Sequence, residues 1–81
     1  MSGATIVYNR LRERVEGVLP QAESEALSCA EIAARLSEAT DHTTIGRIND
    51  ACQTLRRHKA ARFKDVPRRG GAPIRHWWGV P

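Results

Sequence analysis

The apolar residues of this chain follow one rhythm up to Lys59 and another after it. From about Thr5 to Leu19, Val7, Leu11, Val15 and Val18 recur at three- and four-residue steps, which is the stripe of an amphipathic helix. Arg10, Arg12, Glu13, Arg14 and Glu16 occupy its other faces as solvated charge. Thr5 is placed to cap the start, Pro20 stops the helix, and QAESEA follows as a polar connector. Residues 1–4 read as a flexible N-terminus.

A sharper start signal comes next. Ser28-Cys29-Ala30-Glu31 matches a capping box, with Leu27 and Ile32 at the staple positions on either side. The helix it opens, about 28–38, turns Ile32, Ala33 and Leu36 inward. SEATDHT forms a turn, and Asp41 or Thr43 caps a third helix of about 43–59. There Ile45, Ile48, Cys52 and Leu55 make one stripe, while Thr43, Gly46, Arg47, Asp50, Gln53, Thr54 and Arg57 fall on or near the opposite side. Gly46 weakens the helix by about 1 kcal/mol relative to alanine. On an outward face it either lets a ligand approach the backbone closely or is simply tolerated.

Beyond Lys59 the pattern becomes strand-like. ARFKDV, then PRRGGAP, then IRHWWGV predicts a hairpin over about 61–80 with a wide basic tip. In its second strand Ile74, His76, Trp78 and Val80 share one face, and Arg75 and Trp77 share the other. The first set has more apolar residues and the better claim to the core. That leaves Trp77 partly exposed beside arginines, packed under their stems or open to a partner. His76 reads as a packed histidine.

Eighty-one residues accommodate one small domain, over 5–81, and a 41% hydrophobic content argues against disorder. With no apolar run of bilayer length and no signal pattern at the N-terminus, the expectation is a cytoplasmic protein with no membrane contact. Cys29 and Cys52 are then expected to be reduced, buried thiols. No CxxC or HxxxH pair supplies chelate spacing, so neither a metal nor a cofactor is expected. Charge is unevenly divided. Residues 1–41 hold four Arg against seven Asp and Glu, net −3, whereas residues 42–81 hold nine Lys and Arg against two Asp, net +7. Such a division points to an acidic partner for the second half, the alternative being a solvated basic surface.

Helix, capped short helix, turn, longer helix and basic hairpin, taken together from about Thr5 to Val80, resemble a winged helix-turn-helix domain. The most specific piece is SCAEIAARL followed by TTIGRINDACQTLRRHKA. The resemblance implies a mainly α fold with a small β-hairpin (α+β), three helices and a C-terminal wing. It also implies a third helix that enters the DNA major groove. Carried over residue by residue, Thr43, Thr44, Arg47, Asp50 and Gln53 would read bases. Arg47 suits a guanine edge and Gln53 an adenine edge, whereas the Asp50 carboxylate is repelled by phosphate unless it accepts from a cytosine amine or pairs with Arg47 or Gln53. Arg57, Lys59, Arg62, Lys64, Arg68, Arg69 and Arg75 would meet phosphates or form the wing, holding register rather than choosing sequence. Where the family often has glycine between the third helix and the wing, this chain has Lys59-Ala60-Ala61.

The function so implied is sequence-specific binding of double-stranded DNA. A small transcriptional regulator of phage, plasmid or bacterial type fits, with a repressor as the simplest case and a homodimer reading two half-sites. The alternative is a winged-helix protein-interaction module, an adaptor or inhibitor engaging its partner through Trp77 or helix 1. Catalysis finds no motif: Gly70-Gly71 is turn chemistry, and no activated nucleophile or acid–base pair is visible. The chain is not expected to be an enzyme.

Overall fold

The computed structural model describes residues 3–80, with side chains described from Arg10 onward. Its elements are α1 (Gly3–Val18), a single 3₁₀ turn at Glu23–Glu25, β1 (Leu27–Ser28), α2 (Cys29–Arg35), α3 (His42–Arg57), β2 (Ala61–Arg68) and β3 (Gly71–Gly79). The three strands form one antiparallel sheet in the order β1-β3-β2, so the chain is an α+β fold. No helix among the described residues is long and apolar enough to cross a membrane.

α1 starts before the expected position, which places Thr5 inside the helix rather than at its cap. Of the four residues read as a loose end, Gly3 and Ala4 are helical, and Met1 and Ser2 lie outside the described residues. The side chain of Val7 lies outside them too. Farther along, Val15 and Leu19 are buried, with Leu11 and Val18 packed beside them.

α2 and α3 are bounded by local chemistry at both ends. Ser28 Oγ accepts from the Glu31 amide at 3.2 Å, and Glu31 Oε1 accepts from the Ser28 amide at 3.0 Å, which is the complete capping box. Leu27 and Ile32 are both buried beside it. Asp41, not Thr43, caps α3, its carboxylate accepting from the Thr44 amide at 3.0 Å. Both helices close alike, and earlier than expected. After α2 the Ser37 and Glu38 amides donate to the Ala34 and Ala33 carbonyls, and after α3 the Lys59 and Ala60 amides donate to the Arg56 and Leu55 carbonyls. These are Schellman closures, which need a left-handed residue. Ser37 (φ 57°) and Lys59 (φ 61°) occupy those positions without being glycine. The Lys59-Ala60-Ala61 junction thus adopts the backbone that glycine would favour.

The core is one cluster: Val15, Leu19, Leu27, Ile32, Ala33, Ile48, Ala51, Cys52, Leu55, Ala61 and Trp77. Trp77 corrects the expected assignment of sheet faces. It is 0% exposed, whereas Ile74, expected inside, is 36% exposed. Cross-strand register explains the reversal. Trp77 sits between Leu27 of β1 and Phe63 of β2, and its ring centroid lies 5.1 Å from that of Phe63. On the opposite face Trp78 stands across from Arg62 and His76 across from Lys64. Strand parity is all-or-none, so the face that gathers three apolar neighbours goes inside and carries its alternate residues with it. Trp77 is therefore closed to any partner.

The hairpin tip is also tighter than the composition suggests. Strand pairing runs to Arg68↔Gly71, leaving only Arg69 and Gly70 in the turn, with Gly70 at φ 78°. The register is irregular between Val66 and Arg68, around Pro67, which has no amide to offer the ladder.

Candidate nucleic-acid interface

α3 buries Ile48, Ala51, Cys52 and Leu55 and leaves most of its remaining surface in solvent. At 100° per residue its exposed arc divides into a crest and two flanks. Thr43, Gly46, Asp50 and Arg57 are exposed along the crest, with Thr54 half-buried beside them. A Cβ added at Gly46 would meet nothing within 4 Å, so no packing constraint from the protein requires glycine there. Thr54 Oγ1 donates to the Asp50 carbonyl at 3.0 Å, a turn back along the helix. The Asp50 carboxylate makes no ion pair with Arg47 among the described residues, so it stands bare in the middle of the crest.

Thr44 and Arg47 lie on the flank facing α1. With Arg10, Leu11, Arg14 and Glu38 they line a hollow of about 410 Å³. Arg14 is not the solvated charge its pattern suggests. Its Nη1 pairs with Glu38 Oε1 at 2.8 Å, and its Nη2 donates to the Leu36 carbonyl at 2.9 Å, fastening α1 to the end of α2. Gln53 lies toward the other flank, roughly 120° around the helix from Arg47. Ile45 and Asn49 border this second side and form a more apolar hollow of about 460 Å³ with Cys29, Ile74 and Arg75.

The other basic residues of the second half are spread from the α3–β2 junction along the hairpin. Arg56, Lys59 and Arg62 line a shallow depression of about 480 Å³ where α3 hands over to β2. Arg57 is exposed one position from Arg56, and Lys64 is half-buried on the outer face of the hairpin. Arg68 and Arg69 are exposed at the tip, with the Arg68 guanidinium folded over Gly71. Arg75 faces the other way: its guanidinium lies 4.5 Å from the Phe63 ring centroid, and that of Arg56 lies 5.1 Å from the same centroid.

Sequence reasoning missed Arg56 as part of this set, as well as Arg10 and Arg14 beside Arg47. The spacing of Arg10 and Arg14, one helical turn apart, was the available signal for the α1 pair. Nothing local could have brought them to α3. His76 is half-buried, with Nδ1 3.3 Å from the Ala26 carbonyl and 3.9 Å from Glu31 Oε1, an arrangement that anchors β3 to the start of α2.

Two carboxylates are held below their ordinary range by the caps. The Ser28 amide stabilises ionised Glu31, and the Thr44 side chain and amide stabilise ionised Asp41. Both belong to helix starts rather than to the exposed crest. Comparison with known proteins gives no match: no family model, curated protein or solved structure aligns with this chain.

Proposed function

We propose that this protein is a small double-stranded DNA-binding protein of the winged helix-turn-helix kind, with α3 as the recognition helix and the β2–β3 hairpin as the wing. One observation carries the reading. An exposed helical crest bearing side chains able to hydrogen-bond to bases leads at its C-terminal end into a cluster of cations, Arg56, Lys59 and Arg62, and two more arginines are exposed at the hairpin tip. Thr43, Arg47, Asp50 and Gln53 would face base edges, with Thr44 at the α1 flank. Arg57, Lys59, Arg62 and Lys64 would meet one backbone, and Arg68 and Arg69 the phosphates or minor groove beyond. Arg75, turned onto Phe63, has a bracing part instead. A transcriptional regulator, working as a dimer on two half-sites, is the role that such a module fits.

Base readers and phosphate holders are separable by mutation. Each good bidentate base contact contributes about 1–3 kcal/mol of discrimination, whereas a phosphate contact weakens binding alike on all sequences. On a panel of duplexes, Arg47→Ala is expected to flatten sequence preference, and Arg68→Ala and Arg69→Ala to lower affinity uniformly. Equal losses for all three variants on every duplex would remove Arg47 from the base-reading set.

A second reading, a protein-interaction module on the same framework, draws on the bare carboxylate of Asp50 and on exposed Ile74. It separates from the first at one residue. If α3 lies against DNA, Asp50→Asn removes a phosphate-repelling charge and strengthens binding to arbitrary duplexes. If α3 lies against a protein, the same change leaves DNA retention negligible.

A further inference from the structure

The reversal of the β3 faces leaves the second of the chain's two tryptophans on the outside. Trp77 turns with Phe63 toward the core, and Trp78 turns the other way, onto the outer face of the hairpin. Trp78 is half-buried, yet it belongs neither to the core cluster nor to the apolar residues packed against that cluster. Its indole makes no ring contact, cation contact or hydrogen bond among the described residues. A lone apolar residue at a protein surface is ordinary. The neighbours of Trp78 are what set it apart.

Those neighbours are cations. Trp78 stands across the strands from Arg62, and His76, two residues along on the same face, stands across from Lys64. Arg62 is exposed, Lys64 is half-buried, and neither makes an ion pair among the described residues. Positive charge continues past Arg62 into the depression that it lines with Arg56 and Lys59. Carboxylates are kept to other sides. Asp65, the one acid of the hairpin, is on the opposite face across from Arg75. Glu31 approaches His76 Nδ1 to 3.9 Å from the α2 side. Glu23 and Glu25 precede β1, which puts them on the far side of β3 from Arg62 and Lys64. Neighbouring strands are about 4.8 Å apart, and alternate residues of one strand about 7 Å. The indole and both cations thus share a patch of nucleotide size.

We propose that this outer face of the hairpin binds single-stranded nucleic acid, with a base stacked on the Trp78 indole and the adjoining phosphates held by Arg62 and Lys64. The choice of occupant follows from the chemistry. Two cations alone would suit any acidic chain, but a nucleic acid brings both a flat π-face and a negative charge in every repeat. The strand is single, because bases in a duplex are already stacked on one another and offer an open sheet no face. His76 supplies a second, smaller ring beside the first, its Nδ1 held 3.3 Å from the Ala26 carbonyl. This surface lies apart from the crest of α3, so it does not rest on that helix reading a duplex. Trp77, being buried, takes no part.

The test uses the whole chain at low salt and a labelled oligothymidine of about ten nucleotides, within the span that such surfaces engage. Tryptophan emission is expected to be quenched on titration, since stacking acts on Trp78 while Trp77 is shielded in the core. Affinity, read by anisotropy of the label, is expected to fall steeply with salt. Trp78→Leu keeps an apolar side chain but no π-face. It is expected to weaken oligothymidine binding by roughly 5- to 150-fold, the equivalent of one lost stack, and to leave binding to a duplex unchanged. Trp78→Phe, which keeps a ring, is expected to lose less. Quenching of the wild-type protein needs no variant to fold. Absence of that quenching, or equal oligothymidine affinity in Trp78→Leu, would overturn the proposal. So would a polyglutamate peptide or phosphatidylserine vesicles bound as tightly as the oligothymidine. If the wild type binds oligothymidine but no duplex, this proposal stands and the reading of α3 falls.

Discussion

The two flanks of α3 are built from different chemistry. Toward α1 the exposed rim is charged: Arg10, Arg14 and Glu38 line it beside Arg47, and Arg14 ties α1 to the end of α2 through an exposed ion pair and one guanidinium–carbonyl bond, above the buried Val15 and Leu19. Toward the hairpin it meets Ile74, Arg75 and Cys29, backed by the Phe63–Trp77 pair. Burial of aromatic and aliphatic surface stabilises far more than an exposed charge pair. The charged rim toward α1 therefore adds little to stability beyond the buried Val15 and Leu19 beneath it, and it leaves Arg47 free of ion pairs among the described residues. A helix framed in this way has one apolar rim and one charged rim, with its crest between them.

The largest expected effect lies on the hairpin side. Trp77→Ala is expected to cost about 3–5 kcal/mol, much of the stability of a domain this size, as for other buried aromatic truncations. Trp78→Ala, on the outer face, is expected to cost much less. Chemical denaturation of the two variants measures the difference, and comparable losses would break the contrast between the sheet faces.

Smaller and opposite in sign are two exchanges at glycine-related positions. Ser37→Gly relieves a left-handed serine, and Gly46→Ala removes a helix-interior glycine with open space around it. Each is expected to raise stability by about 1 kcal/mol. Gly46→Ala has a second use. If stability rises and DNA affinity falls, close backbone approach is the reason glycine stands on the crest, and if both hold or rise it is merely tolerated there.

On the charged flank the expected losses are smaller again. Glu38→Ala is expected to cost less than about 1 kcal/mol, and less still at high salt, because the Arg14–Glu38 pair is exposed. A loss above about 2 kcal/mol would mean that the pair is structural after all.

The pH effect is subtler. The folded-state pKa of Glu31 is depressed, so its contribution is present above its unfolded value of about 4.3 and is lost as pH falls through the folded value. Glu31→Gln keeps a capping partner but cannot titrate. Thermal melts from pH 7 downward should therefore show the wild type losing more stability on acidification than the variant. Parallel melting curves would contradict the assigned cause.

How much of this was legible in the sequence depends on how local each cause is. The capping box at Ser28 and Glu31 and the α3 stripe are written within a few residues and were readable, whereas the α3 cap was narrowed only to Asp41 or Thr43. The faces of β3 were misread because that strand was taken alone, where Ile74, Trp78 and Val80 outnumber Trp77. Setting it beside Arg62-Phe63-Lys64 decides the matter, since of these apolar residues only Trp77 shares parity with Phe63. The pairing with Leu27 lay hidden next to the capping box, in a strand of two residues. The bonds from Arg14 to Glu38 and Leu36 depend on a helix crossing that no local pattern encodes. The same holds for the left-handed backbones at Ser37 and Lys59, where neither residue type announces the conformation it adopts.

The measurement that bears most directly on α3 as a DNA-reading helix is fluorescence anisotropy of a short mixed-sequence duplex, titrated with the protein at low and near-physiological salt. The account predicts binding whose logarithm falls linearly with the logarithm of salt, with a slope of several units, one for nearly every phosphate neutralised. Absence of binding even at low salt would contradict it and turn attention to a protein partner for the same crest.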